Sequence, residues 1–185
     1  MDKYQFLLSS VAENFNLSMQ TYQPGQALFN QGDFEPRLFW IKKGLVKLVF
    51  FQPDGKEFVK AFLSENDLSG SLMSVVFAQP SPYSCISMEA SDVVAIPYEK
   101  IKLWVKDYPE LRDVELAFMQ QLTARKEDRE YQFLCLTPEQ RYLRFIEQYP
   151  QIFSRISQAE LAKFLGITPV ALSRIKSRNK LATLT

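Results

Sequence analysis

The densest set of residues able to do chemistry lies towards the C-terminus, where Ser157–Asn179 reads SQAELAKFLGITPVALSRIKSRN. Ser157 stands before an apolar helical pattern with Glu160 three residues on, so hydroxyl and acid are placed for a capping box. Gly166 can take the left-handed conformation that ends this first helix in a tight turn. Thr168 and Pro169 then supply a cap and a first-turn proline for a second helix. Two short helices joined by so brief a turn follow the grammar of a helix-turn-helix. Ala162 is the small residue where the helices cross, and Leu172 and Ile175 are the apolar positions that pin the second helix. Thr168, Pro169, Val170, Ser173, Arg174, Lys176, Ser177 and Arg178 are left to face outwards, with Lys180 near the end. An arginine fork can donate twice to guanine O6 and N7, whereas Lys176, Ser177 and Arg178 suit phosphate oxygens and Ser173 suits either. Double-stranded DNA is the expected partner; a helical hairpin with a solvated basic face is the plainer alternative.

The charge distribution agrees with a polyanion-binding end. The whole chain carries a net charge of only +1, yet residues 151–185 hold six cations (Arg155, Lys163, Arg174, Lys176, Arg178, Lys180) against one anion, Glu160. The rest is therefore mildly acidic. The chain has no histidine, which removes the usual general base, the commonest zinc and haem ligand, and every Ser-His or Cys-His nucleophile pair. No catalytic residue, metal or cofactor is expected. Cys85 and Cys135 form neither a disulfide framework nor a ligand cluster and read as packed thiols. A hydrophobic fraction of 46%, with 15 Phe and 8 Tyr, supports a packed core. No apolar run is long enough to cross a membrane, and MDKYQFLLSSVAENF lacks a leader pattern, so no membrane partner and a cytoplasmic location are expected.

The elements that must position the C-terminal motif can be read in outline. Met1–Gln20 has helical spacing at Phe6, Leu7, Val11 and Phe15, with Ser9 or Ser10 able to cap. From Tyr22 to Pro97, short segments rich in Val, Ile and Phe alternate with turn residues, and five of the six glycines lie here. That pattern suits a sandwich or barrel of short antiparallel strands. The clearest hairpin joins Leu45–Phe51 to Glu57–Phe62 across Pro53-Asp54-Gly55-Lys56. After Pro97 the pattern turns helical: a short helix over Tyr98–Val105, a long one from Pro109 to about Phe133, and another from Thr137-Pro138-Glu139-Gln140 to about Tyr149. On the long helix Leu111, Val114, Phe118 and Leu122 form one stripe before the charged run TARKEDRE. Periodicity leaves open whether the stripe faces the core or a second helix.

Taken together, YQPGQALFNQGDFEPRLFWIKKGLVKL, LTPEQRYLRFI and ISQAELAKFLGITPVALSRI make nearly the whole chain resemble the Crp/Fnr family of bacterial transcription regulators. The resemblance implies an α+β chain. An N-terminal β jelly-roll of the cyclic-nucleotide-binding type would occupy residues 1–108, a long dimerisation helix 109–134, and an all-α helix-turn-helix domain 135–185. It implies a homodimer on a pseudo-palindromic site, with Leu111, Val114, Phe118 and Leu122 as the dimer seam. RNA polymerase and a small-molecule effector are implied as further partners.

Two departures stand out. Nucleotide-binding members carry Gly-Glu-Leu at a short helix and an Arg about ten residues later; here the matching residues are Gly70-Ser71-Leu72 and Ser81-Pro82-Tyr83, and no Arg occurs between Arg37 and Arg112. These six residues mark the expected effector pocket, and without the charge-assisted contact to phosphate cyclic AMP is not its expected ligand. Haem and iron-sulfur ligation lack their ligands. The sequence also ends at LATLT, so no wing is expected after the second motif helix. The rival expectation is a ligand-sensing or protein-interaction module whose degenerate helix-turn-helix no longer binds DNA.

Overall fold

The computed structural model describes residues 9, 12–109 and 111–182. Eight strands run β1 (Met19–Tyr22), β2 (Ala27–Phe29), β3 (Arg37–Lys43), β4 (Val46–Phe51), β5 (Glu57–Leu63), β6 (Leu68–Ser69), β7 (Ser84–Ser87) and β8 (Ser91–Pro97). They form two four-stranded antiparallel sheets ordered β1-β8-β3-β6 and β2-β7-β4-β5. The hairpin read from the sequence is present, with Val46 opposite Leu63 and Phe51 opposite Glu57. Gln52 N–H donates to Lys56 O at 2.8 Å across the turn, and Gly55 supplies the positive φ of 81°.

Strand β3 explains how the roll is held. Its alternating side chains enter two cores. Phe39 and Ile41 meet Phe29, Val46, Leu48 and Cys85 between the sheets. Leu38 and Trp40 face outwards on to helices, beside Val94 and Ile96 of β8. A strand buried on both faces needs a near-continuous apolar run, and RLFWIKK provides one.

The helices are α1 (Leu72–Val75), α2 (Tyr98–Trp104), α3 (Leu111–Cys135), α4 (Pro138–Gln148), α5 (Pro150–Phe153), α6 (Gln158–Leu165) and α7 (Pro169–Ala182). Residues 12–14 are helical, and Phe15 stacks on Trp104 with ring centroids 3.6 Å apart. Phe6, Leu7, Ser10 and Val11 of the expected N-terminal helix lie outside the described residues. Thr137 caps α4 with a complete capping box, its hydroxyl accepting from Gln140 N–H and its own N–H donating to Gln140 Oε1.

The long helix requires a correction. Leu111 and Phe118 are buried in the same cluster as Leu38, Trp40 and Ile101, and Leu122 packs partly against it. The stripe is therefore covered by the chain's own β-roll and is not a free seam; the side chain of Val114 lies outside the described residues. The face left open carries Leu116, Ala124, Tyr131 and Leu134, the last 77% exposed.

A third core joins the two ends of the chain. Leu45, Val59 and Phe62 of the roll are buried with Tyr142, Phe145, Leu161 and Phe164 of the C-terminal helices. Phe62 lies 5.4 Å from Phe164 and 6.2 Å from Phe145, centroid to centroid. The helix-turn-helix thus rests on the outer face of the β4–β5 hairpin.

Candidate nucleic-acid interface

The motif forms by the local rules that its sequence announced. Ser157 Oγ accepts from Glu160 N–H at 3.2 Å, and α6 ends at Gly166, which sits at φ 67°. Thr168 Oγ1 then accepts from Ala171 N–H at 3.2 Å to start α7. Ala162, Leu172 and Ile175 are almost wholly buried. Around α7 this leaves Thr168, Pro169, Val170, Ser173, Arg174, Ser177 and Arg178 exposed. They crown a convex helix beside an open groove of about 780 Å³ that runs from Thr137 and Glu139 to Arg178.

The outward cations differ in how free they are. Arg174 makes no ion pair or hydrogen bond among the described residues, so its fork is unengaged. Arg178 lies 3.4 Å from Glu139 while remaining largely exposed. Lys176 is half-buried and donates to Gln158 Oε1 at 2.8 Å, which ties α7 back to α6. The side chain of Lys180 and residues 183–185, where a wing would begin, lie outside the described residues.

Two of the six cations counted towards a basic end turn inwards. Arg155 pairs with Glu65 at 2.9 Å and Glu89 at 2.6 Å, both on the roll. Its hydrogen bonds hold the Glu65 carboxyl down at about 2 and raise the Arg155 guanidinium above its ordinary value. Lys163 reaches Glu57 at 2.6 Å and Glu160 at 3.1 Å, and Glu160 also accepts from Lys47 at 2.9 Å. The expected reciprocal capping box at Ser157 is consequently only half made: a four-charge cluster between roll and motif engages Glu160's carboxylate.

Sequence reading missed a second set of positioning residues. Arg129 Nη2 on α3 donates to Phe164 O and, at 3.3 Å, to Val59 O. Arg141 on α4 donates to Leu136 O at 2.9 Å and Leu165 O at 3.1 Å. Both guanidinium groups lie over the Phe133 ring, 4.3 and 4.7 Å from its centroid. They satisfy carbonyls at the C-terminus of α6, where the helix dipole favours positive charge. Burial first, and neighbouring Arg141 second, push Arg129 down to about 10, so it stays charged at neutral pH. A Cβ on Gly166 would lie 2.9 Å from Phe133 Cε1, a second reason for glycine beyond its φ. Nothing in the local pattern signalled these long-range bonds.

The six expected effector-pocket residues do come together, but as packed structure. Tyr83 Oη donates to Gly70 O at 2.8 Å and Ser81 Oγ to Tyr83 O at 2.7 Å. Gly70, Ser71, Ser81 and Tyr83 are buried, Leu72 is half-buried and Pro82 exposed. Of the six, Gly70 alone lines the nearby cavity of about 70 Å³ between β5, β6 and α3.

Comparison with known proteins agrees with this architecture. Residues 19–108 match the cyclic nucleotide-binding domain family. The global nitrogen regulator of Synechocystis sp. is 28% identical over 109 residues, covering 58% of this chain and 47% of that protein. The transcriptional activator protein Anr of Pseudomonas protegens is 23% identical over 168 residues, covering 83% of this chain and 67% of that one. The chain thus matches about half the length of the nitrogen regulator. The structure of FixK2 from Bradyrhizobium japonicum superimposes with a TM-score of 0.78 at 14% identity, over 90% of this chain and 86% of that one. At that identity the likeness speaks for the fold.

Proposed function

We propose that this chain, a member of the Crp/Fnr family of regulators, is a DNA-binding transcription regulator that lays α7 in the major groove. The observation that carries the reading is the division of α7 itself. Leu172 and Ile175 fix it to α6, while Val170, Ser173, Arg174 and Ser177 stand exposed on the other side. Arg174, without an ion pair or hydrogen bond among the described residues, is the base-reading residue by its bidentate fork. Thr168, Ser177 and Arg178 hold phosphates, and Lys176 joins them by exchanging Gln158 for a phosphate oxygen.

The chain acts as a homodimer in this reading, reaching half-sites about 34 Å apart on a pseudo-palindrome. The open face of α3, with Leu116, Ala124, Tyr131 and Leu134, replaces the buried stripe as the seam. Residues 1–108 serve as sensor, 109–134 as dimer helix and 135–185 as DNA-binding domain. RNA polymerase is a further partner, and the setting is the cytoplasm. Cyclic AMP is not the effector in this reading, because Tyr83 closes on Gly70 and the stretch from Gly70 to Tyr83 contains no arginine for the phosphate.

Fluorescence anisotropy with genomic DNA fragments tests the reading. Saturable binding to a subset of fragments, lost or made indiscriminate by Arg174→Ala, is the expected result. Absence of DNA binding at every salt concentration would overturn it.

A further inference from the structure

We infer that Val170 is a specificity-determining residue that reads the C5-methyl group of a thymine, close to the guanine taken by Arg174. The inference deepens the DNA-binding reading of α7 and rests on it.

Val170 breaks the rule that places the other apolar residues of the motif. From Ser157 to Asn179 every other Leu, Ile, Val and Phe side chain is buried or half-buried, whereas Val170 is 61% exposed. A β-branched residue also suits a helix less well than alanine, because its χ1 is confined against the preceding turn. Packing within the motif does not offset that cost, since Leu172 and Ile175 hold α7 from the opposite side. The confinement becomes an advantage once the side chain meets a partner, because a fixed rotamer has little freedom left to lose on binding.

The position is the one a base reader needs. Val170 stands in the first turn of α7, and the N-terminal residues of a recognition helix are those that reach base edges. Ser173, Arg174 and Ser177 follow it at helical spacing, so the four share one face. Val170 and Arg174 lie one turn apart, about 6 Å along the helix axis, which spans about two base steps of about 3.4 Å. Grooves of about 780 and 220 Å³ border this ridge, the first along Arg174 and Arg178 and the second along Pro169 and Lys176. The ridge therefore stands clear of its own motif on both flanks.

The chemistry of that face narrows the bases. Cytosine N4 is read by a carboxylate, and adenine by the amide of Asn or Gln. No Asp or Glu occurs between Glu160 and Thr185, and α7 has no acid in its first turn, unlike α4 with Glu139 and α6 with Glu160. The one amide side chain on α7, Asn179, is half-buried and donates to Glu139 Oε1 and Ile175 O, each at 2.9 Å. The outward face is left with a guanidinium for guanine, hydroxyls that suit several groups, and the methyls of Val170. Thymine is the base that presents an apolar group in the major groove. The acid-free first turn also keeps the amide end of α7 attractive to the phosphates beside it.

The test uses the full chain on sites selected from a random pool of duplex DNA. Each thymine of the selected half-site is replaced in turn by uracil, which pairs alike but lacks the methyl, and affinity is read by anisotropy. At one position, within two steps of the guanine on which Arg174→Ala acts, uracil should weaken the parent chain about fourfold per half-site, the worth of one methyl carbon taken from water. Cytosine methylated at C5 should bind the parent better than cytosine does at the same position. Val170→Ala should lose affinity for the thymine site by a similar factor and respond to neither change. Alanine is the better helix former at this exposed position, so the loss is not one of folding, and an unchanged thermal midpoint checks this. Equal responses of the parent chain and Val170→Ala at every position, or selected sites with no thymine within two steps of that guanine, would overturn the inference and leave the DNA-binding reading standing. A pool from which no site is selected would overturn that reading and the inference with it.

Discussion

Around α6, Arg155 and Lys163 direct their charge into the molecule and meet Glu65, Glu89 and Glu57 of the roll. On α7, the next helix, Arg174 and Arg178 direct theirs into solvent, and Arg174 meets no acid among the described residues. The two helices carry cations of the same kind in the same segment, yet one set glues the motif to its own chain while the other is available to a polyanion. Net charge over a segment therefore does not locate a binding surface; the pairing of each cation does. The basic end seen in the sequence is narrower than its count, and it is centred on α7.

The largest effect should come from the inward side. Phe62→Ala removes the ring shared by β5, α4 and α6 and should cost about 3–5 kcal/mol, measured as a lower denaturation midpoint in urea. A loss below about 1 kcal/mol would mean that the roll and motif do not share a core, and the comparison would lose its inward half. Next is the turn between the two helices. Gly166→Ala places a Cβ at φ 67° and 2.9 Å from Phe133, for a loss of about 1–2 kcal/mol from the backbone conformation with the contact in addition. The double variant with Phe133→Leu should recover the contact portion and leave the backbone portion in place, which a double-mutant cycle resolves.

The smallest effect concerns the ionic glue. Arg155→Ala should reduce stability by about 1 kcal/mol at low salt and leave the salt dependence of DNA binding untouched. The same bond predicts a pH signature. Glu65's carboxyl is held below its unfolded value of 4.5, at about 2, by Arg155. Its contribution is thus present above pH 4.5 and disappears as pH falls from there towards 2. Unfolding midpoints across that window should fall less steeply for Glu65→Gln than for the parent chain; parallel slopes would remove Glu65 from the account.

What could be read from the residues beforehand follows the range of the interactions involved. The helix-turn-helix was legible because Ser157, Gly166, Thr168 and Pro169 act on neighbours within a few positions. The β4–β5 hairpin was legible for the same reason. The stripe at Leu111, Phe118 and Leu122 was legible as an apolar face but not as to what covers it, since a period of 3.6 records burial and not the partner. Its partner, strand β3, lies far back in the chain. Glu160's diversion from its capping box depends on Lys47, and the cap on α6 depends on Arg129 and Arg141. Such contacts bring together residues between 24 and 113 positions apart, and no local pattern encodes them.

The most direct test of the central claim is the salt dependence of DNA affinity for the parent chain, Arg174→Ala and Lys163→Gln, measured by anisotropy on one selected fragment and one unrelated fragment. The account predicts that Arg174→Ala loses about 1–3 kcal/mol on the selected fragment and most of its preference over the unrelated one. Lys163→Gln should keep both the preference and the slope of the parent. Equal losses for the two variants, or a preference that survives Arg174→Ala, would contradict it.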